Sequence, residues 1–388
     1  MMKPIFIGSE VYRGSSYGDW HPLHIPRVST VMDLTHALGW IGPAQYRTSP
    51  RAKPKALTLF HTPDYIAALQ QAEARQTVDD ATRIRHGLGS TANPVFPEMF
   101  RRPATGAGGV MLAAELVRDG GIVHVPGGGT HHAMADYANG FCYLNDPVLC
   151  LLSLRQLGLA RIAYVDIDAH HCDGVEAALA GAEDMLMISV HEEKRWPFTG
   201  ALEDEAQGRA LNLPVPRGLN DTEMRDIAQR LILPALERFA PDAIVLQCGS
   251  DAIEEDPLSR LALSNNAHAA IAVALAQLAP RLIVLGGGGY NPWSVARAWT
   301  RVWGALNGLS HDGPLPAHAE AILRALRWNR RAAGRSPPAH WFTTLNDPAR
   351  EGPIRPEIRA RTDHLRARLA LASPNVAKIT RPGQRKTA

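Results

Sequence analysis

The sequence predicts a single doubly wound α/β domain built on a parallel sheet. Three observations predict it. Short runs that are apolar throughout alternate with longer Ala/Leu-rich segments, and strands apolar on both faces belong to parallel sheets covered by helices on each side. Each run is followed by a cluster of Gly, His and Asp, which is where open α/β sheets bind ligands. Hydrophobic residues make up 45% and charged residues 20% of the 388, enough apolar material for one large core and too much for a disordered chain.

The elements follow in chain order. Ile5 opens a short N-terminal strand, and helices are expected over 28–38 and 63–73 within a loop-rich first hundred residues. Five apolar strands are then expected over 122–125, 162–165, 186–190, 243–247 and 282–285. Helical stretches over 108–118, 147–157, 174–179, 221–239 and 265–278 lie between them, the βαβ alternation of a layered α/β domain. The prolines at Pro337, Pro338 and Pro348 place the end of the compact domain near residue 345, leaving 346–388 as a basic extension.

Charge and cysteine content narrow the class. The formal net charge is +3, from 41 Lys+Arg against 38 Asp+Glu. From Glu351 onward nine Lys/Arg face three acids, a surplus of +6, so the preceding residues sum to −3. That tail has no interleaved aromatics, which argues against nucleic acid, and reads as a solvated, partly helical terminus. Four scattered cysteines without CxxC spacing exclude a disulfide framework or a Cys-based zinc site. No apolar run reaches membrane-span length, and no signal-peptide pattern opens the chain. A soluble cytoplasmic enzyme is the expected class, with oligomeric state open.

The polar clusters carry the chemistry. In DIDAHHCDG, Asp168 and His170 lie on one side of an extended segment, and Asp251, in CGSD after a neighbouring strand, adds a third ligand. Alone, the D-x-H pair could simply cap the next helix. With a second strand-end Asp it reads as a divalent-metal site with an open position for water. His131–His132, after three glycines and Thr130, are candidates for general base and acid, with Asp166 and Asp173 placed to orient them. Gly286–Gly289 lacks a Walker lysine and reads as a tight turn presenting Tyr290, whose phenol can hydrogen-bond a developing oxyanion. Phe141 and Trp196 are candidates for pocket walls or for core. These parts fit metal-assisted amide hydrolysis.

The ordered segments PGGGTHHAMADYANGFCYLND, YVDIDAHHCDGVE, ISVHEEKRWPFTG, LQCGSDAIEEDPL and LGGGGYNP resemble the histone deacetylase family, and within it the bacterial acetoin utilization proteins. The similarity runs from about Tyr17 to Gly308. It implies the arginase/deacetylase-like fold with a parallel sheet of about eight strands, and a zinc-dependent lysine deacetylase, with Fe2+ as an alternative ion. It implies Asp168, His170 and Asp251 as metal ligands, His131 paired with Asp166, His132 with Asp173, and Tyr290 as transition-state stabiliser. Phe141, Trp196, the Gly140 carbonyl and Gly288 would line the acyl-lysine channel. A potassium ion would sit among Asp166, Asp168, His170, Ser189 and Val190, and Arg27 beside an internal acetate-exit channel.

Three positions depart from the family pattern. Ala92 stands where an acid usually grips a bound peptide backbone, Cys172 where Gly is common, and Trp196 and Phe198 where Phe and Gly are common. The substrate is therefore expected to be either protein acetyl-lysine or a small acetylated amine such as an acetylpolyamine. A two-metal ureohydrolase lacks the bridging D-x-D carboxylates it would need, and a non-catalytic acyl-lysine binder is opposed by the complete set of catalytic side chains.

Overall fold

The computed structural model describes residues 3–328 and 335–371. Eight strands form one sheet: β1 (Ile5–Gly8), β2 (Tyr46–Thr48), β3 (Gly121–Val125), β4 (Ile162–Asp166), β5 (Met185–Glu192), β6 (Ala210–Val215), β7 (Ala243–Gln247) and β8 (Arg281–Leu285). Their order is β2-β1-β3-β8-β7-β4-β5-β6, and every pairing is parallel. The five apolar strands expected from the sequence are β3, β4, β5, β7 and β8; β7 has the expected bounds, β3, β4 and β8 gain one residue each and β5 gains three. β4 and β7 are buried along their whole length, the condition for a strand covered on both faces.

The order matters for the site. After β3 the chain skips two positions to lay down β4, and β7 and β8 later fill the gap. β3, β8, β7 and β4 thus become the four adjacent central strands. The segments that follow all four open at the same edge of the sheet, where such topological reversals create a crevice.

Two elements near the site begin with prearranged caps. Asn145 accepts from Val148 N at 3.1 Å and starts the helix Asp146–Gln156. Asn291 accepts from Trp293 N and starts Pro292–Leu306. Each supplies an acceptor to an otherwise unpaired first-turn N–H. The Asp221–Phe239 stretch is helical throughout but passes through a π turn at Ala228–Ile232, just before Pro234.

The expected end of the compact domain at residue 345 needs correction. Leu345 is buried, Asp347 forms a buried ion pair with Arg297 at 2.7 Å, and the helix Pro356–Leu371 packs Ile358 and Leu365 fully into the core beside β6. The segment from Leu345 to Leu365 therefore packs with the domain. The tail arginines of this segment are paired: Arg355 with Glu223, Arg361 with Glu193 and Arg368 with Glu205. Arg359 and Arg366 meet Asp226 and Asp363, and the basic residues from Lys378 on lie outside the described residues.

Candidate active site

The segments after β3, β4 and β8 line one open cavity, and the segment after β7 brings Asp251 against Asp168 and His170 beside it. Beyond β3, a Gly-rich turn presents His131 and His132. Asp146 fixes that turn: its carboxylate accepts from Gly129 N at 2.6 Å and from the Thr130 hydroxyl at 2.9 Å. His131 Nδ1 lies 2.7 Å from Asp166, and His132 Nδ1 lies 2.6 Å from Asp173. The two Nε2 atoms face each other at 2.9 Å, a separation at which one ring carries the proton and the other accepts it.

Burial and charge decide which. Burial opposes charging His131, but Asp166 and Asp168 outweigh it and raise its pKa to about 9. Burial and the neighbouring His131 charge lower His132 to about 3. His132 is the neutral, accepting imidazole of the pair.

Beyond β4 and β7 stand Asp168, His170 and Asp251, all buried, with one potential ligand atom from each lying within 4.8 Å of the others. His170 Nδ1 is 2.9 Å from Asp251 and 3.2 Å from Asp168. Burial opposes charging His170, yet these two carboxylates raise its pKa to about 10, while burial and Asp168 push Asp251 up to about 6. Two buried carboxylates around one imidazole call for a cation, and a donor set of two carboxylates and one imidazole suits a divalent transition metal. The outer oxygens are already engaged: Asp168 Oδ2 accepts from Gln247 Nε2 at 2.9 Å and Gly288 N at 2.7 Å, and Asp251 Oδ1 accepts from Ala169 N. Such outer contacts orient ligands.

The loop after β8 closes the site. Gly288 must lack a side chain, because a Cβ there would stand 2.0 Å from Asp251 Oδ2. Tyr290 lines the cavity with its ring edge-on to Phe141 at 5.8 Å. Arg27, half-buried over the Trp299 ring, donates to the Gly287 carbonyl at 2.7 Å. The opposite wall is Trp196, whose ring lies 4.6 Å from His132 and which remains partly exposed. Gly140 sits between them at φ +52°, and a Cβ there would strike the Trp196 ring at 2.2 Å. Phe141, also at positive φ, is held by Tyr17, whose hydroxyl donates to the Phe141 carbonyl at 3.2 Å.

The chain belongs to the histone deacetylase family. The histone deacetylase domain model matches residues 21–306. Over 330 residues the chain is 31% identical to the acetoin utilization protein AcuC of Bacillus subtilis, covering 81% of this chain and 85% of that one. It is 35% identical to histone deacetylase 9 of Arabidopsis thaliana, covering 76% and 71% of the two chains. A solved HDAC homologue, crystallised as its complex with SAHA, superposes with a TM-score of 0.89 at 35% identity, covering 94% of this chain and all of that one. The deacetylase-type hydrolase, its metal dependence and the arginase/deacetylase fold follow from this membership. No described helix is long and apolar enough to cross a membrane.

The expected positions gather here, with Ser189 and Val190 just behind on β5, where Ser189 pairs in register with Asp166. Ser189 Oγ is 2.8 Å from His191 Nδ1. Ala92 offers no carboxylate to a substrate, and its carbonyl is bound by His21 Nε2 at 3.1 Å. Cys172 is buried with its thiol pKa pushed well up by burial, so it is an inert thiol. Sequence reasoning missed Asp146, Gln247 and Tyr164, whose hydroxyl donates to Asp166 at 2.6 Å. Of the three, only Gln247 carries a visible signal, a polar group closing an apolar strand.

Proposed function

We propose that the protein hydrolyses the amide of N-acetyl-lysine side chains in proteins. The observation that carries this is the convergence, around one cavity, of an Asp–His–Asp ligand set, two carboxylate-paired histidines and a tyrosine phenol. Asp168, His170 and Asp251 would hold the metal, and the donor set accommodates Zn2+ or Fe2+. When bound, such an ion polarises a carbonyl and acidifies a water.

The protein groups do the rest. His132, the neutral imidazole held through Nδ1 by Asp173, would take the proton of the attacking water at Nε2, giving up its contact with His131 Nε2 for the water. His131, charged against Asp166, stabilises the negative charge that builds up and keeps a proton available for the leaving amine. The Tyr290 phenol donates to the oxyanion. Phe141 and Trp196 flank the lysine stem, with Gly140 and Gly288 leaving room for it. Asp166, Asp168 and His170, with Ser189 and Val190, form the proposed potassium site. The four cysteines are free and buried, which suits a reducing cytoplasm.

The absence of a carboxylate at Ala92 favours a second reading, in which the substrate is a small acetylated amine such as an acetylpolyamine. Acetate release by metal-loaded protein, measured as kcat/KM on an acetyl-lysine peptide and on an acetylpolyamine, decides between them. A strong peptide preference is expected. A strong polyamine preference overturns the protein-substrate reading, and acetate release from neither overturns both.

A further inference from the structure

Tyr290 is placed in the cavity by its backbone. Among the described residues its hydroxyl has no hydrogen-bond partner, and its ring contact is the edge of Phe141. The preceding glycines are held by other groups: Arg27 on the Gly287 carbonyl, and Ser250 N and Asp168 on Gly288. Among the described residues, the side-chain contact that holds the Tyr290 backbone is its N–H donating to Asp256 Oδ2 at 2.6 Å.

Asp256 is suited to that task. It is buried, and its second oxygen accepts from Leu258 N at 2.9 Å. Leu258 packs against the apolar cluster that contains Tyr290. The loop is closed on itself, because the Ser259 hydroxyl donates to the Asp251 carbonyl at 2.6 Å and Asp256 N donates to the Ile253 carbonyl at 3.0 Å. One short loop therefore carries a metal ligand, Asp251, at one end and the anchor of the phenol at the other. A carboxylate that engages two backbone N–H groups fixes both, since a buried acceptor left unpaired is costly.

We propose that Asp256 is a positioning residue for Tyr290, setting the phenol's distance from the Asp168–His170–Asp251 pocket. This rests on the deacetylase reading and on the role given there to Tyr290. Misplacing a catalytic group by about 1 Å costs on the order of a hundredfold in rate, and Asp256→Asn, which keeps shape but replaces one acceptor with a donor, should cost about tenfold or more.

The test is a double-mutant cycle on one acetylated substrate with wild type, Asp256→Asn, Tyr290→Phe and the double variant. Asp256→Asn is expected to lower kcat with little change in KM, bound metal or Tm. In the Tyr290→Phe background it should lower kcat no further, because the group it positions is gone. An equal loss in both backgrounds, or no loss in either, overturns the proposal. If Asp256→Asn does not fold, Asp256→Glu, which keeps both acceptors but shifts them by a methylene, is taken through the same cycle. Additivity in an active enzyme removes only the anchoring role. A wild-type protein that releases no acetate from any acetylated amine removes the deacetylase reading, and the anchor with it.

Discussion

The crevice beyond the four central strands and the C-terminal segment 345–365 handle charge in opposite ways. In the crevice, Asp166, Asp168, Asp251 and His131 are buried together, and Asp168, His170 and Asp251 bring potential ligand atoms within 4.8 Å of one another. Along the C-terminal helix, Arg361 and Arg368 meet Glu193 and Glu205 at the half-exposed rim, while Ile358 and Leu365 enter the core. Buried charge in the first region serves reactivity at a cost in stability. In the second, apolar burial does the holding and the ion pairs add little. Substitutions in the two regions should therefore separate: activity without stability in one, stability without activity in the other.

The sharpest break comes from Asp251→Ala. It removes one of the three proposed ligands and leaves His170 with a single carboxylate neighbour. Metal content, measured by elemental analysis after dialysis, should fall to background and acetate release with it. Retention of a full metal equivalent would show that the ligand set is different. Tyr290→Phe comes next. With metal content at the wild-type level, kcat should fall by about a hundredfold or more, the cost of one oxyanion donor. A wild-type kcat would remove Tyr290 from the reaction.

How much of this was legible in the sequence follows the same division. Strands apolar on both faces announced themselves, and so did the His, Asp and Gly clusters at their ends. β6 did not, because an edge strand carrying Asn212 and Pro214 breaks the apolar run. The helix Arg101–Leu116 begins seven residues before the expected 108, since three glycines inside it dilute the helical signal while letting its backbone approach the 49–52 segment. Asp146, Gln247 and Asp256 act through hydrogen bonds to residues distant in sequence, and no local pattern marks those. The basic composition after Glu351 concealed a helical stripe, Ile358, Thr362, Leu365 and Leu369 at three- and four-residue spacing, which faces the core.

That stripe gives the third prediction. Leu365→Ala should cost about 2–5 kcal/mol of stability, the usual range for a buried leucine whose cavity does not fully collapse. It should leave kcat and metal content of the folded protein unchanged. Urea unfolding followed by fluorescence of the buried tryptophans measures the first, and acetate release measures the second. A stability loss below about 0.5 kcal/mol would return the segment to the status of a separate extension.

The smallest effect separates packing from charge within that one helix. Arg361 donates to Glu193 at 2.9 Å and also to the Pro214 carbonyl at 2.7 Å, and Arg368 pairs with Glu205 at 2.9 Å. All four side chains keep solvent contact, so each pair contributes under about 1 kcal/mol. Arg361→Gln and Arg368→Gln should shift the urea midpoint only slightly, and raising salt should shrink the wild-type-to-variant difference further, because exposed pairs are screened. Both variants also give up a backbone acceptor, the Pro214 carbonyl for Arg361 and the Leu202 carbonyl for Arg368, so their losses should be similar. A loss in either variant as large as that of Leu365→Ala would reverse the contrast between the two regions, making charge rather than apolar burial the force that holds the C-terminal helix.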